Sequence, residues 1–122
     1  MKTKKRILIV EDDEMAIKLL QLLLEKEGFE LVIARDGNQG TEALKTANPD
    51  LILMDIMLPY KSGMEVISIA KKNLKDVPII VLSYLGKVNQ TNEEALRLGV
   101  SDVIAKPFVV PKLIAKIKLW LA

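Results

Sequence analysis

The chain has 122 residues, 50% of them hydrophobic, with 18 basic and 16 acidic side chains. This length suffices for one domain with a proper core and is too short for two, so we expect a single domain over residues 1–122. A net charge of +2 is far below the one-sided excess typical of nucleic-acid binders. The sequence has no cysteine and no histidine, which excludes disulfides, thiolate or imidazole metal ligands, and Ser-His-Asp or Cys-His catalysis.

The amino-terminal segment is basic but carries only a short apolar run. Residues 1–6 are followed by Ile7–Val10 and then at once by the acidic residues Glu11–Asp13. Such a run is too short for an export signal or a membrane span. We therefore expect a cytoplasmic protein without membrane contact.

Apolar runs and helical periodicity alternate along the whole chain. The predicted strands are Ile7–Val10, Glu30–Ala34, Leu51–Asp55, Val77–Ser83 and Asp102–Lys106. The predicted helices cover Glu14–Glu27, the stretch from Asp36 to just before Pro49, about Gly63–Lys72, a segment through Glu93 and Leu98 that ends at Gly99, and a last helix with Pro111 in its first turn. Five strands alternating with five helices predict an α/β fold with one doubly wound parallel sheet, most commonly in the order 2-1-3-4-5.

Several side chains in this pattern have ordinary structural interpretations. Asp13 and Asp36 precede predicted helices and are interpreted as helix N-caps, a position that Asp favours. Met15, Met54 and Met64 are interpreted as packing residues.

The central feature is the stretch Leu51–Asp55, which is apolar on both faces and ends in a carboxylate. In the order 2-1-3-4-5, Glu11–Asp12 end the first strand beside Asp55, and Ser83 ends the fourth strand on its other side. Lys106 ends the fifth strand and has a stem long enough to reach the same point. Three carboxylates, a hydroxyl and an ammonium therefore converge at one edge of the predicted sheet.

These groups have the chemistry needed for phosphoryl transfer. Crowded carboxylates repel one another unless a cation neutralises them, and a small all-oxygen ligand set suits Mg²⁺ better than Ca²⁺. With the charge screened, Asp55 can act as a nucleophile toward phosphorus. Mg²⁺, Lys106 and the Ser83 hydroxyl can each bind one equatorial phosphoryl oxygen. The residues therefore predict an aspartyl phosphate formed in a Mg²⁺-dependent reaction.

The motifs resemble those of the receiver domain of bacterial two-component response regulators, a family with the flavodoxin-like fold of the chemotaxis response protein. The resemblance covers essentially the whole chain, and its four motifs occur in order on the right strands. They are Ile7–Asp13, then Pro49–Asp55 followed by Met57, Leu58, Pro59 and Gly63, then Ser83, and last Lys106–Phe108.

The resemblance implies that Asp55 is the phosphoacceptor, Ser83 the switch hydroxyl and Lys106 the charge partner, with a cis Lys106-Pro107 bond. Of the acidic pair, Asp12 is favoured as the direct metal ligand. The full metal-ligand set would be Glu11, Asp12, Asp55 and the backbone carbonyl of Met57.

Such a domain takes a phosphoryl group from a sensor histidine kinase or a histidine phosphotransfer protein and changes conformation to control a partner protein or an output domain. The resemblance implies no enzymatic turnover beyond self-phosphorylation and slow dephosphorylation. We expect no output domain and no direct nucleic-acid binding within residues 1–122. The cognate kinase, the target, the phosphoryl lifetime and the oligomeric state have no sequence signature, and a stand-alone protein and a receiver of a longer regulator look alike.

Two positions depart from the family pattern. Val103 stands where the family commonly has Tyr or Phe, so we hypothesise that signalling relies on a shift of Ser83 and the loop after it rather than on a swinging ring. Tyr84 follows Ser83 where the family usually has a small residue. A ring there could slow the attacking water, which predicts a longer-lived phosphoryl group than in a Tyr84→Ala variant.

Three other function classes fit the sequence less well. A phosphorylation-independent (pseudo-receiver) binding module is disfavoured by the intact set of acidic pair, Asp55, Ser83 and Lys106. A haloacid-dehalogenase-like phosphatase would carry its nucleophile in an Asp-x-Asp motif after the first strand, where this chain has Glu11–Asp13, and it would have a cap domain. A flavin or dinucleotide binder would show a Gly-x-Gly-x-x-Gly motif at the same place.

Overall fold

Strands and helices alternate along the chain as predicted. The structure, a computed structural model, describes residues 4–56, 63–84 and 89–122, without the side chains of Tyr84 and residues 89–92. The strands are β1 (Arg6–Val10), β2 (Glu30–Ala34), β3 (Leu51–Asp55), β4 (Ile79–Tyr84) and β5 (Asp102–Lys106). The helices are α1 (Glu14–Lys26), α2 (Gly37–Thr46), α3 (Gly63–Asn73), α4 (Asn89–Arg97) and α5 (Val110–Leu121). None of the helices in the described ranges combines the length and hydrophobicity needed to cross a bilayer.

The five strands form one parallel sheet in the order β2-β1-β3-β4-β5, which confirms the predicted topology. β3 lies in the middle, and all five of its residues are buried. β4 begins two residues later than predicted, at Ile79 rather than Val77. The reason is Pro78, which has no N–H to donate to the ladder, although its carbonyl accepts a hydrogen bond from the Ile52 amide.

Each face of the sheet carries its own hydrophobic core. Leu8 and Val10 of β1 point into the core shared with α2, α3 and α4, whereas Ile7 and Ile9 point into the core shared with α1 and α5. Neighbouring residues of a strand face opposite sides of a sheet, so helices on both sides bury every position of β1 from Ile7 onward. This layering leaves the strand ends as the edges where polar side chains can gather.

Both predicted aspartate caps are confirmed. The Asp13 carboxylate accepts a hydrogen bond from the Met15 amide at 3.4 Å, at the start of α1. The Asp36 carboxylate accepts one from the Gln39 amide at 2.8 Å, at the start of α2. These bonds satisfy amide groups that have no partner within the first turn of a helix.

Candidate functional site

The carboxyl ends of the strands bring the predicted site residues to one edge of the sheet. Val10 of β1 lies beside Met54 of β3, so the residues that follow them, Glu11 and Asp55, are neighbours. Asp55 also lies beside Leu82 of β4, directly before Ser83. In the described part of the chain, all of the buried polar or charged side chains belong to this edge. They are Glu11 (1% exposed), Asp55 (6%), Ser83 (8%) and Lys106 (8%).

Lys106 is shared between two buried carboxylates. Its Nζ lies 2.6 Å from Oε1 of Glu11 and 3.4 Å from Oδ2 of Asp55. Burial disfavours the charged form of Lys106, but the hydrogen bond to Glu11 and the charge of Asp55 outweigh burial and raise its pKa. The ammonium is therefore held in its charged form next to Asp55. The Lys106-Pro107 bond is cis, as predicted.

The second oxygen of Glu11 is also engaged. Oε2 accepts hydrogen bonds from the amides of Asp12 and Asp13, at 3.1 and 3.3 Å. Burial raises the pKa of Glu11, the hydrogen bond from Lys106 opposes this rise, and the charge of Asp55 adds to it. Glu11 thus links the strand end to Lys106 with both of its oxygens.

The carboxylates of Glu11, Asp12 and Asp55 form a cluster whose ligand oxygens all lie within 4.8 Å of one another. Glu11 and Asp55 are buried, whereas Asp12 is exposed. Together with Lys106, three carboxylates and one ammonium carry a formal charge of −2, which a single divalent cation would neutralise. The donors are all oxygen atoms, which suits a hard cation such as Mg²⁺. The residues present therefore fit the predicted metal.

The remaining predicted positions are described only in part. Met57 lies outside the described residues, and so does the side chain of Tyr84, so both predictions stay predictions. Ser83 is buried at the same edge as Asp55, and its neighbour in β5 is Ala105. Val103 lies beside Val81 and packs, partly buried, against the core that contains α2, α3 and α4.

This geometry agrees with a comparison against known families. The sequence model of the response regulator receiver domain matches residues 7–118. The chain belongs to this family. Receiver domains are signalling domains rather than classical enzymes, and general phosphoacceptor signalling fits the site described above.

Curated relatives and solved structures resemble this receiver domain over nearly its whole length. It is 38% identical over 116 residues to the transcriptional regulatory protein DltR of Streptococcus agalactiae serotype III (strain NEM316), covering 93% of this chain and 50% of DltR. It therefore spans about half the length of this relative. The structure of a CheY-like response regulator receiver domain protein from Methanospirillum hungatei JF-1 has a TM-score of 0.92 at 31% identity, covering 98% of this chain and 94% of the other.

A further solved structure carries a metal. The receiver domain of sensor histidine kinase PA1611 from Pseudomonas aeruginosa PAO1 has a magnesium ion coordinated in its active-site cleft. It matches this receiver domain with a TM-score of 0.87 at 28% identity, and the match covers 98% of each chain.

An apolar cleft that sequence reasoning missed opens beside Lys106 in the receiver domain. The cleft has a volume of about 320 Å³ and lies between the start of α1 and the segment after β5. Met15 is 80% exposed and Leu19 is 43% exposed, so the interpretation of Met15 as a packing residue is wrong. The lining residues are Asp13, Met15, Ala16, Leu19, Lys106, Pro107 and Phe108.

The periodicity of α1 could have revealed this surface. Met15, Leu19 and Leu22 recur at spacings of four and three residues, and all three are exposed. The buried residues of the helix lie on its opposite face. They are Ile17, Leu20 and Leu24. A helix with apolar stripes on two opposite faces has one face for the core and a second that remains exposed.

Proposed function

We propose that this receiver domain accepts a phosphoryl group on Asp55 from a phosphohistidine of a sensor histidine kinase or a histidine phosphotransfer protein. The observation that carries the proposal is the buried Asp55 carboxylate with the Lys106 ammonium 3.4 Å away, beside the acidic pair. An Asp55 oxygen would attack phosphorus while the bond from phosphorus to the imidazole nitrogen breaks. The imidazole leaves as a neutral or protonated base, and an aspartyl phosphate remains.

The described residues would bind and orient the phosphoryl group. Lys106 already contacts Asp55 and could bind one phosphoryl oxygen with its ammonium, and Ser83 could donate its hydroxyl proton to another. Movement of Ser83 toward the phosphoryl group would then transmit the conformational change along β4, because Val103 has no aromatic ring that could reorient. We propose this shift as the switch that controls a downstream partner or output domain.

Mg²⁺ would be held by the carboxylates of Glu11, Asp12 and Asp55, with the carbonyl of Met57 as the expected further ligand. When bound, the ion would neutralise the carboxylates that otherwise repel an incoming phosphoryl group. Asp12 is the favoured direct ligand, because both oxygens of Glu11 already accept hydrogen bonds whereas Asp12 is exposed. The magnesium coordinated by the PA1611 receiver domain supports this choice of ion.

The apolar cleft beside Lys106 offers a docking surface for the phosphodonor protein. It lies between α1 and the segment after β5, and Lys106 lines both the cleft and the acidic site. A protein seated there would hold its phosphohistidine close to Asp55. A cytoplasmic location, and a single domain over residues 1–122 that neither contains an output domain nor binds nucleic acid, stay predictions.

Burial of the charged groups favours phosphorylation over a purely binding role. Burying Glu11, Asp55 and Lys106 away from water costs free energy. Such buried charged groups are typical of sites that carry out chemistry, and a module that only bound partners would not require them. The sequence match to receiver domains gives no support to a haloacid-dehalogenase-like phosphatase.

Intact-mass spectrometry tests the proposal directly. The protein is incubated with Mg²⁺ and acetyl phosphate, beside an Asp55→Asn variant and a chelator control. We expect a gain of one phosphoryl mass that is lost in both controls. No gain in the folded protein, from acetyl phosphate or from any histidine kinase, would favour the phosphorylation-independent binding module.

A further inference from the structure

Gly63, the first residue of α3, lies against Ile56, the residue that follows Asp55 in the chain. The Gly63 amide donates a hydrogen bond to the Ile56 carbonyl oxygen, at 3.1 Å. This contact joins the start of α3 to the backbone next to the proposed phosphoacceptor.

A side chain at position 63 would collide with that backbone. An ideal Cβ on Gly63 would lie 2.5 Å from the carbonyl oxygen of Ile56, 2.8 Å from its Cα and 2.9 Å from its carbonyl carbon. Non-bonded carbon atoms at their optimum are about 3.5–4.0 Å apart. All three atoms belong to the main chain, so none can rotate away as the tip of a side chain can. Only glycine therefore permits this approach.

Neither α3 nor the backbone of Ile56 can easily move away from this contact. α3 is anchored by Val66 and Ile67, which have no exposed surface. The Ile56 side chain is 5% exposed and packs in the same core cluster as these two residues. Because both sides are anchored, an added Cβ would be accommodated mainly by turning the peptide of Ile56, and that movement would be passed on to Asp55.

We propose that Gly63 is a positioning residue for divalent-ion binding and phosphoryl transfer at Asp55. Because Gly63 has no side chain, the backbone of Ile56 can keep the conformation that orients the Asp55 carboxylate toward the ion. This inference rests on the proposed function, because it requires an ion at the acidic cluster. If Gly63 only helped to pack α3, its replacement would lower stability and leave the ion affinity unchanged.

Gly63→Ala tests the inference, with Gly99→Ala as a matched control. Gly99 has a φ of 100°, which strains any L-residue, and a Cβ there would lie 3.2 Å from Cε of Lys71. Gly99 precedes β5 and so lies toward the opposite edge of the sheet from Asp55. Both substitutions should lower the free energy of unfolding, but only Gly63→Ala should disturb the carboxyl edge.

The readout is the affinity of the full chain for Mn²⁺, measured from the electron paramagnetic resonance signal of the free ion and by competition with Mg²⁺. We expect Gly63→Ala to weaken binding about tenfold and Gly99→Ala to leave it unchanged. If Gly63→Ala unfolds in buffer alone, the titration is made with trimethylamine N-oxide, which favours the folded state.

A failure of the inference about Gly63 and a failure of the proposed function would give different results. Wild-type affinity in the folded Gly63→Ala protein would overturn the inference, and so would equal losses in both variants. Absence of Mn²⁺ and Mg²⁺ binding by the wild-type protein would overturn the proposed function itself.

Discussion

The two edges of the sheet use the same kinds of charged side chain in opposite ways. At the carboxyl edge, Lys106 meets Glu11 and Asp55, and the three side chains are 10%, 1% and 8% exposed. At the amino edge, where the strands begin, Lys116 pairs with Asp102 at 2.9 Å, and the two side chains are 46% and 21% exposed. An exposed pair contributes about 0–1 kcal/mol, whereas a buried one must offset a desolvation cost of several kcal/mol per ion. The carboxyl edge is therefore arranged for chemistry at some cost in stability.

Arg6 shows how the amino edge uses its charges to join neighbouring elements. Its amide donates to Oδ2 of Asp50 at 2.7 Å, and its guanidinium donates to the carbonyl oxygen of Ala47 at 2.5 Å. The same guanidinium pairs with Glu30 of β2 at 3.2 Å. These contacts tie β1 to β2 and to the turn before β3. Arg6 thus uses its charge to join neighbouring elements, whereas the carboxyl edge places three carboxylates within reach of one cation.

Replacing the lysine at each edge should give the largest difference. Without divalent ions, Lys106→Met should lower the free energy of unfolding by about 3 kcal/mol, because it removes the ammonium that contacts the buried carboxylates of Glu11 and Asp55. The matched variant Lys116→Met should cost at most about 1 kcal/mol, because its pair with Asp102 is partly exposed. Urea unfolding in the presence of a chelator, followed by circular dichroism, measures both.

Mg²⁺ should restore part of the stability of Lys106→Met, since an ion that binds only the folded state stabilises it. The same addition should leave the difference between wild type and Lys116→Met unchanged. Equal losses in the two variants would contradict the contrast between the edges.

A smaller effect is expected in the cleft beside the site. The experiment uses a histidine kinase that phosphorylates the wild-type protein. Leu19→Asn should slow phosphoryl transfer from this kinase about tenfold, because the substitution removes an apolar contact from the docking surface. Transfer from acetyl phosphate should not change, since that donor needs no docking. Leu119→Asn is the control, because Leu119 is 65% exposed on α5 and does not line the cleft. Equal slowing by both variants would count against the cleft as the docking surface.

The smallest expected effect is a pH dependence of opposite sign at the two edges. Burial raises the pKa of Glu11 above its ordinary 4.5 in the folded state, so its favourable contribution is complete below pH 4.5 and is lost as the pH rises through the raised value. At Asp102, burial is outweighed by hydrogen bonds from Lys116 and Trp120, which lower its pKa below 3.8. Its contribution is present above pH 3.8 and is lost as the pH falls through the lowered value.

Unfolding free energies of the metal-free protein across this pH range measure both effects. Glu11→Gln should flatten the dependence above pH 4.5, and Asp102→Asn should flatten it below pH 3.8. A profile that neither substitution alters would contradict the assignment of the two groups.

Hydrophobic patterning by itself determined the order of the strands and helices, the parallel sheet and the position of Asp55 at the end of its central strand. The reason is that period and run length report which face of an element is buried, and alternating strands and helices leave few allowed topologies. The caps at Asp13 and Asp36 followed from local chemistry in the same way. The beginning of β4 was predicted two residues too early, because the apolar run includes Val77 and Pro78, whereas the strand begins at Ile79.

Only the tertiary structure decided which atoms meet at the carboxyl edge. Lys106 and Glu11 are 95 residues apart in the chain, yet their charged atoms lie 2.6 Å apart. The close approach of Gly63 to Ile56 was likewise visible only in the folded chain. Periodicity specifies the face on which a side chain lies, whereas the distance between two side chains depends on how the faces pack together.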